Sequence, residues 1–118
     1  MPSELKLAPK QKHPAGQRCC NPIVYPDVER KQAERMAGIA KALADPARLQ
    51  LVDVLRRHAG KVCVCELVPL FDLSQSTVSH HLKVLREAGI VDSERNGLWA
   101  YYFVNPEAMS ELAGWLNQ

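Results

Sequence analysis

The chain has 118 residues and a formal net charge of +2, from 15 Lys and Arg against 13 Asp and Glu. A chain of this length has room for one hydrophobic core, so a second independent domain is excluded. No run of eighteen apolar residues occurs, and the first residues lack the order of a secretion signal, so we expect no membrane partner and a cytoplasmic protein. Because positive and negative charges nearly balance, a nucleic-acid partner must be argued from local placement.

The first 26 residues form a proline-rich segment. It holds five of the eight prolines and shows no apolar periodicity. We therefore expect residues 1–26 to be a flexible arm and residues 27–118 to form the folded domain. The arm carries an adjacent cysteine pair, Cys19 and Cys20.

Two helices are predicted after the arm. The first covers about 27–44, with Asp27 as its N-cap. Asp45 then restarts the chain, because Asp is a good cap and the proline that follows is pre-set for a first helical position. The second helix covers about 46–58 and stops at Gly60. Its inner face is expected to consist of Leu49, Val52 and Leu55.

Two short helical segments, 65–71 and 76–88, are separated by a break and indicate a helix-turn-helix. Pro69 is tolerable in the first segment only within its first turn. Gly89 is expected to end the second segment. The inward stripe of the second segment is predicted to be Val78, Leu82 and Leu85.

The remainder of the chain predicts a hairpin over 90–104 and a final helix over 106–116. Arg95, Asn96 and Gly97 supply the turn, since Asn-Gly between β-prone runs is a strong hairpin signal. The elements follow one another in the order of a winged helix-turn-helix. The predicted fold class is mainly α with a β-hairpin, of the α+β type.

Polar side chains crowd the start and the outer surface of the second helix of the motif. Short hydroxyls, an amide and cations at a helix N-terminus suit major-groove reading and phosphate binding. Gln75 suits adenine, while Lys83 and Arg86 suit the phosphate backbone. A solvated helix face is the alternative interpretation, and one of His80 and His81 is expected to face inward. The candidate DNA-binding residues are Gln75, Ser76, Thr77, Ser79, His80, Lys83 and Arg86, with Arg95 and Asn96 on the wing.

The four cysteines form two close pairs, the second being Cys63 and Cys65. Such pairs in a reducing compartment are more often metal-binding or redox-active than structural. The second pair lies at the start of a helix, where free N–H groups favour the thiolate form. A thiol-redox sensor is one alternative. A thiol enzyme is another, but no Cys-x-x-Cys follows a strand and no phosphate-cradling loop is present, so we expect no enzyme.

Three gap-free stretches, ALADPARL at 42–49, CVCEL at 63–67 and LSQSTVSHHLKVLREAG at 73–89, closely resemble the ArsR/SmtB family of metal-sensing repressors. The similarity covers about residues 36–104. It implies a cytoplasmic homodimer joined through its first and last helices, bound to double-stranded operator DNA and released by a metal. Ser76 departs from the proline often found at that position.

The resemblance also implies the inducer. Family members with Cys-Val-Cys at this place resemble sensors of arsenic, antimony, cadmium or lead, and thiolates suit such soft ions. Arsenic sensors of enteric bacteria carry a third cysteine three residues further on, where this chain has Val68. The missing sulfur is then expected from the arm, whose pair is similar to that of actinobacterial arsenic sensors. The implied ligands of arsenite, or of another soft metal ion, are Cys19, Cys20, Cys63 and Cys65.

Two points stay open at the level of the sequence. Cadmium, lead or zinc are alternatives to arsenite, and either three or four thiolates could bind. The zinc-sensing branch places Asp and His on the final helix, but residues 106–118 contain neither. No organic cofactor is implied.

Overall fold

The computed structural model describes residues 23–58 and 61–118, which form five α-helices and a three-stranded antiparallel sheet. The helices are α1 (Arg30–Ala42), α2 (Pro46–Arg57), α3 (Val64–Leu67), α4 (Gln75–Glu87) and α5 (Pro106–Leu116). The strands are β1 (Val62–Cys63), β2 (Val91–Asn96) and β3 (Trp99–Val104), in the spatial order β1-β3-β2. The predicted fold class is confirmed, and α5 has the predicted bounds. Most of the predicted arm, with Cys19 and Cys20, and the predicted stop at Gly60 lie outside the described residues.

The starts of α1 and α2 differ in how they are capped. The carboxylate of Asp45 accepts the backbone N–H groups of Ala47 and Arg48 at 2.9 and 3.1 Å, with proline at the first helical position, as predicted. The predicted cap at Asp27 is wrong. Glu29 is the extended residue before α1, and its side chain makes no capping bond.

The core lies beneath α4. Val78, Leu82 and Leu85 are fully buried, which confirms the predicted inward stripe. The predicted inner face of α2 is wrong at Leu49, which is 53% exposed, whereas Leu51 is fully buried. The stripe of α2 begins one residue earlier, at Arg48, and continues through positions 51, 52 and 55 at helical spacing. Because the first residue of this stripe is polar, the apolar residues alone did not indicate which side of α2 faces inward.

The first half of the helix-turn-helix is shorter than the predicted helix over 65–71. The α3 helix starts at Val64 and is followed by a 3₁₀ turn over Val68–Leu70. Pro69 lies in this turn, near its start, where its missing N–H is not needed. The chain therefore passes from α3 through a 3₁₀ turn into the break that precedes α4.

The sheet contains one strand that the sequence did not predict. The short β1 pairs with β3, so that Cys63 lies opposite Tyr101. In the hairpin, Asn96 pairs with Trp99, which makes Gly97 and Leu98 the two turn residues rather than the predicted 95–97. Gly97 has a φ of 66°, in the left-handed region that favours glycine.

The last helix lies against the first. Glu111 of α5 is 3.2 Å from the guanidinium of Arg35 in α1, and α5 contains no fully buried residue. Its Trp115 and Leu116 are 46% and 64% exposed. Among the described residues, none of the helices has the length and apolar character needed to span a membrane.

Candidate DNA interface and thiol site

Hydroxyl groups organise the start of α4. The Oγ of Ser74 accepts the backbone N–H of Thr77 at 3.2 Å, which caps the helix. The same Oγ lies 3.0 Å from the Oγ of Ser76 and 2.9 Å from the Oγ1 of Thr77. Ser74 was not among the predicted site residues. A serine just ahead of a periodic helical pattern was the signal that could have identified it.

The predicted reading residues of α4 share its outer side. Positions 76, 79, 80, 83 and 86 follow helical spacing opposite the buried stripe. Thr77 and Ser79 are partly buried, and the Thr77 hydroxyl is engaged with the cap. The exposed members are Gln75, Ser76, His80, Lys83 and Arg86. The structure thus leaves an amide, a hydroxyl, an imidazole and two cations open to a polyanion.

Arg86 connects α4 with the hairpin. Its Nη1 donates to the Oγ of Ser93 in β2 at 3.2 Å. Arg95 and Asn96, at the far end of the same strand, are exposed. The helix is therefore tied to the strand that leads to the hairpin tip.

The two adjacent histidines have different surroundings. His80 is exposed, whereas the side chain of His81 is only 14% exposed. Nη1 of Arg48 lies 3.3 Å from Nδ1 of His81. The expectation that one of the pair faces inward is confirmed, and His81 is that residue.

Cys63 and Cys65 flank the first residue of α3. Cys63 is the N-cap: its backbone N–H donates to Oε1 of Glu66 at 3.0 Å, and its sulfur accepts the backbone N–H of Glu66. This reciprocal arrangement is a capping box with a thiol in the place of the usual hydroxyl. Cys63 is buried and Cys65 is exposed. Their sulfur atoms are 2.8 Å apart, and neither cysteine is in a disulfide.

The protonation of Cys65 differs from the expectation. The hydrogen bond that its thiol donates to Cys63 raises the pKa of Cys65, and desolvation and the nearby Glu66 carboxylate add to the increase. A backbone hydrogen bond at the helix start lowers the pKa of Cys65, in the predicted direction, but the raising contributions outweigh it and the net shift is opposite to the prediction. A metal ion must displace this proton when it binds.

The two thiols are the right type of ligand for a soft metal ion, but two ligands are too few to hold one. Two thiols converge, and thiolates suit soft metals and metalloids. One tetrahedral zinc ion would hold two sulfurs about 3.8 Å apart, so a small side-chain rotation is needed. Within residues 23–58 and 61–118, no three His, Cys, Asp or Glu side chains are placed to hold a metal ion. Val68 occupies the place of the third local cysteine, and its side chain is partly buried against the core.

The thiol site is connected to α4 and to the hairpin. The short α3 and its 3₁₀ turn lead directly to α4. In the sheet, Cys63 pairs with Tyr101, which in turn pairs with Glu94 of β2. Lys61, just before β1, forms an ion pair with Glu94. Cys63, which caps α3, is therefore paired with β3, and Lys61, two residues before it, contacts β2.

A helix-turn-helix with an exposed second helix and a two-stranded wing tied to that helix defines a winged helix-turn-helix regulator. Residues 45–93 match the profile of the bacterial regulatory proteins of the arsR family. The arsenical resistance operon repressor of Bacillus subtilis is 43% identical over 72 residues, which are 61% of this chain and 68% of that protein. The chain belongs to the arsR family, as its motifs predicted.

Two further comparisons agree. The cadmium resistance transcriptional regulatory protein CadC of Listeria innocua is 41% identical over 69 residues, which are 58% of this chain and 57% of that protein. A solved structure described as a possible transcriptional regulator for arsenical resistance is 32% identical, with a TM-score of 0.61 over 68% of this chain and 80% of that chain. The fold and these relatives are those of transcriptional regulators.

Proposed function

We propose that the chain is a cytoplasmic homodimeric repressor that binds an operator duplex and releases it when its cysteines bind trivalent arsenic or antimony. The observation that carries this proposal is the convergent pair of thiols on Cys63 and Cys65, one helix ahead of the exposed face of α4. Relatives named for arsenical and cadmium resistance support a soft ion as the inducer.

In this proposal, α4 is the recognition helix. Gln75 and Ser79 contact base edges in the major groove, while Lys83 and Arg86 contact phosphates. Arg95 and Asn96 at the wing tip contact the neighbouring backbone or groove. Ser76, Thr77 and His80 complete the surface near the helix start. The exposure of most of these α4 side chains, with Thr77 and Ser79 partly buried, and the fixed cap of the helix support these roles.

The second copy is proposed to cover the face formed by α1 and α5. A hollow of about 260 Å³ on this face is lined only by apolar side chains. A second copy packed on this face would remove that apolar surface from water. A two-fold dimer would present two recognition helices to an inverted repeat. The lining residues are Val28, Ala33, Met36, Ala37, Ala40, Leu112 and Trp115.

The proposed ligand set joins Cys63 and Cys65 of one subunit with the arm cysteines, Cys19 and Cys20, of its partner. Trivalent arsenic commonly takes three sulfurs, and two described thiols are one short of that number. The bound ion has no catalytic role in this proposal. It links the arm to the N-terminus of α3. The released state must bind arsenite more tightly than the operator-bound state does, because release otherwise gains no free energy.

The test is an equilibrium titration of the reduced full chain. An operator duplex is first selected with the wild-type protein from a random-sequence pool, and its release is followed by fluorescence anisotropy. Arsenite, cadmium, lead and zinc are added separately, with thiolate absorbance recorded in the same samples. We expect arsenite to release the operator at the concentrations that saturate the thiols.

The outcomes separate the alternatives. Release by cadmium, lead or zinc without release by arsenite would replace the inducer within the same mechanism. Release by a thiol oxidant, with no effect of any metal ion, would favour the redox sensor. Failure to select any preferred duplex would reject operator binding itself.

A further inference from the structure

Arg48 lies at the inner edge of α2 and reaches three parts of the fold. Its guanidinium Nε donates to the backbone oxygen of Ala42, the last residue of α1, and its Nη1 lies 3.3 Å from Nδ1 of His81 in α4. Its backbone N–H is bound by the carboxylate of Asp45 at 3.1 Å. The same carboxylate oxygen lies 4.0 Å from Nε2 of His81. The end of α1, the start of α2 and the middle of α4 therefore meet at one side chain.

The donors and acceptors of this group assign the state of the imidazole. A guanidinium has only N–H donors, so Nδ1 of His81 must be the acceptor of its bond with Arg48. The ring proton of the neutral histidine is then on Nε2, on the side of Asp45. Nδ1 is satisfied by Arg48 only when α4 is at its present position along the face of α2, whereas Nε2 lies too far from the Asp45 carboxylate for a direct hydrogen bond.

The hydrogen bonds of Arg48 and His81 fix the position of α4 along α2 more narrowly than its apolar core contacts do. Val78 and Leu85 are buried three residues before and four residues after His81, so His81 lies beside the same stripe. Apolar burial is non-directional and tolerates small shifts of a helix along its neighbour. A planar guanidinium that is bound to a ring nitrogen and to a helix-end carbonyl does not tolerate such shifts, because its hydrogen bonds are directional.

We propose that Arg48 and His81 are positioning residues for sequence reading. They hold α4 at the height and rotation at which its outer side chains meet base edges, and they do not touch the DNA themselves. This inference rests on the proposed operator binding. Loss of the pair lets α4 shift, which harms contacts that need ångström placement and spares contacts with a diffuse phosphate charge.

The experiment compares four variants of the full chain on the selected operator and on a random duplex of equal length. Arg48→Met and His81→Leu remove one partner each, and we expect each to weaken operator binding about tenfold, the effect of one hydrogen bond to a charged group. Binding to the random duplex should change less than about twofold. His81→Asn keeps an acceptor near the place of Nδ1 and should recover most of the operator affinity. Arg57→Met, which removes an exposed ion pair with Asp53 on the same helix, is the matched control.

The double variant Arg48→Met with His81→Leu should lose no more than Arg48→Met alone, because that single variant already removes the bond to His81. Equal losses on the two duplexes, or a lowered melting temperature with an unchanged affinity ratio, would show a purely structural contact and overturn the inference. Should a variant fail to fold, the ring ¹⁵N shifts of wild-type His81 decide: a proton on Nε2 supports the assignment, and one on Nδ1 overturns it. A wild-type protein without any sequence preference would instead reject the proposed function.

Discussion

The surface around α4 and the site around Cys63 lie one helix apart and are prepared to different degrees. At α4 the cap, the hydroxyls and the wing connection through Arg86 are all in place. At the thiols, two sulfurs converge without a third ligand from residues 23–58 and 61–118. One surface is therefore ready for its partner before contact, whereas the other has only two of its proposed ligands in place.

This difference suits a repressor that is released by its ligand. A preformed reading surface lowers the ordering cost of binding DNA, so the metal-free protein can occupy its operator. A ligand site that is assembled on capture can draw the arm and the start of α3 together, and so discriminate between two states of the protein. The variants of α4 and of Cys63 below test the two sides of this comparison.

The largest effect is expected at Leu82, which supports α4 from below and is fully buried. Leu82→Ala should lower the free energy of unfolding by about 2–5 kcal/mol, through lost burial and the cavity that remains. Leu49→Ala, at a leucine that is 53% exposed, is the control and should cost less than about 1 kcal/mol. Urea denaturation measures both. Equal losses would mean that the support of α4 is misassigned.

The second largest effects are expected on DNA binding, where variants of α4 should distinguish base contacts from phosphate contacts. Gln75→Ala should lower discrimination at one base pair by about 1–3 kcal/mol. Lys83→Ala should weaken binding to all duplexes and reduce the slope of log affinity against log salt by about 1. Affinity titrations on the operator and its point variants at several salt concentrations measure both quantities. An unchanged salt slope in Lys83→Ala would remove Lys83 from the phosphate contacts.

The two N-caps provide the third comparison. Ser74→Ala removes the capping oxygen of α4 and should cost about 1 kcal/mol of stability. Cys63→Ser replaces the capping sulfur with an oxygen that can accept the N–H of Glu66, so stability should change by less than about 0.5 kcal/mol. Operator binding by Cys63→Ser should persist while release by arsenite is lost. Normal release by this variant would exclude Cys63 as a ligand.

The smallest effect concerns acid stability. The hydrogen bond from the backbone of Arg48 lowers the pKa of Asp45 below its ordinary 3.8, and the positive charge of the Arg48 guanidinium lowers it further. A lowered folded-state pKa contributes stability that is present above 3.8 and is lost as the pH falls through the folded value. Asp45→Asn keeps the cap and should flatten stability against pH in that acid range. An unchanged acid limb in thermal melts would contradict this assignment.

The sequence predicted the elements whose patterns are long and local. The buried stripe of α4, the helix-turn-helix order and the bounds of α5 follow from apolar spacing and capping residues. The two-residue β1 carries no periodicity, so its pairing through Cys63 could not be read from the chain. Leu49 was misplaced because Arg48, a polar residue, begins the buried stripe of α2.

The site residues divide in the same way. Residues on α4 could be assigned to a face because a regular helix fixes their directions. The raised pKa of Cys65 could not be predicted, because it depends on a hydrogen bond to Cys63 that spacing alone does not reveal. The turn at Gly97 and Leu98 depends on strand register, which cross-strand pairing decides.

The central claim is that the arm of one subunit completes the thiol site of its partner. Its most direct test is a heterodimer in which one subunit carries Cys19→Ser and Cys20→Ser and the other carries Cys63→Ser and Cys65→Ser. This pair keeps one complete site between subunits and none within a subunit. We predict that it binds one arsenite, where the wild-type dimer binds two. A heterodimer that binds no arsenite, beside a wild type that does, would contradict the claim.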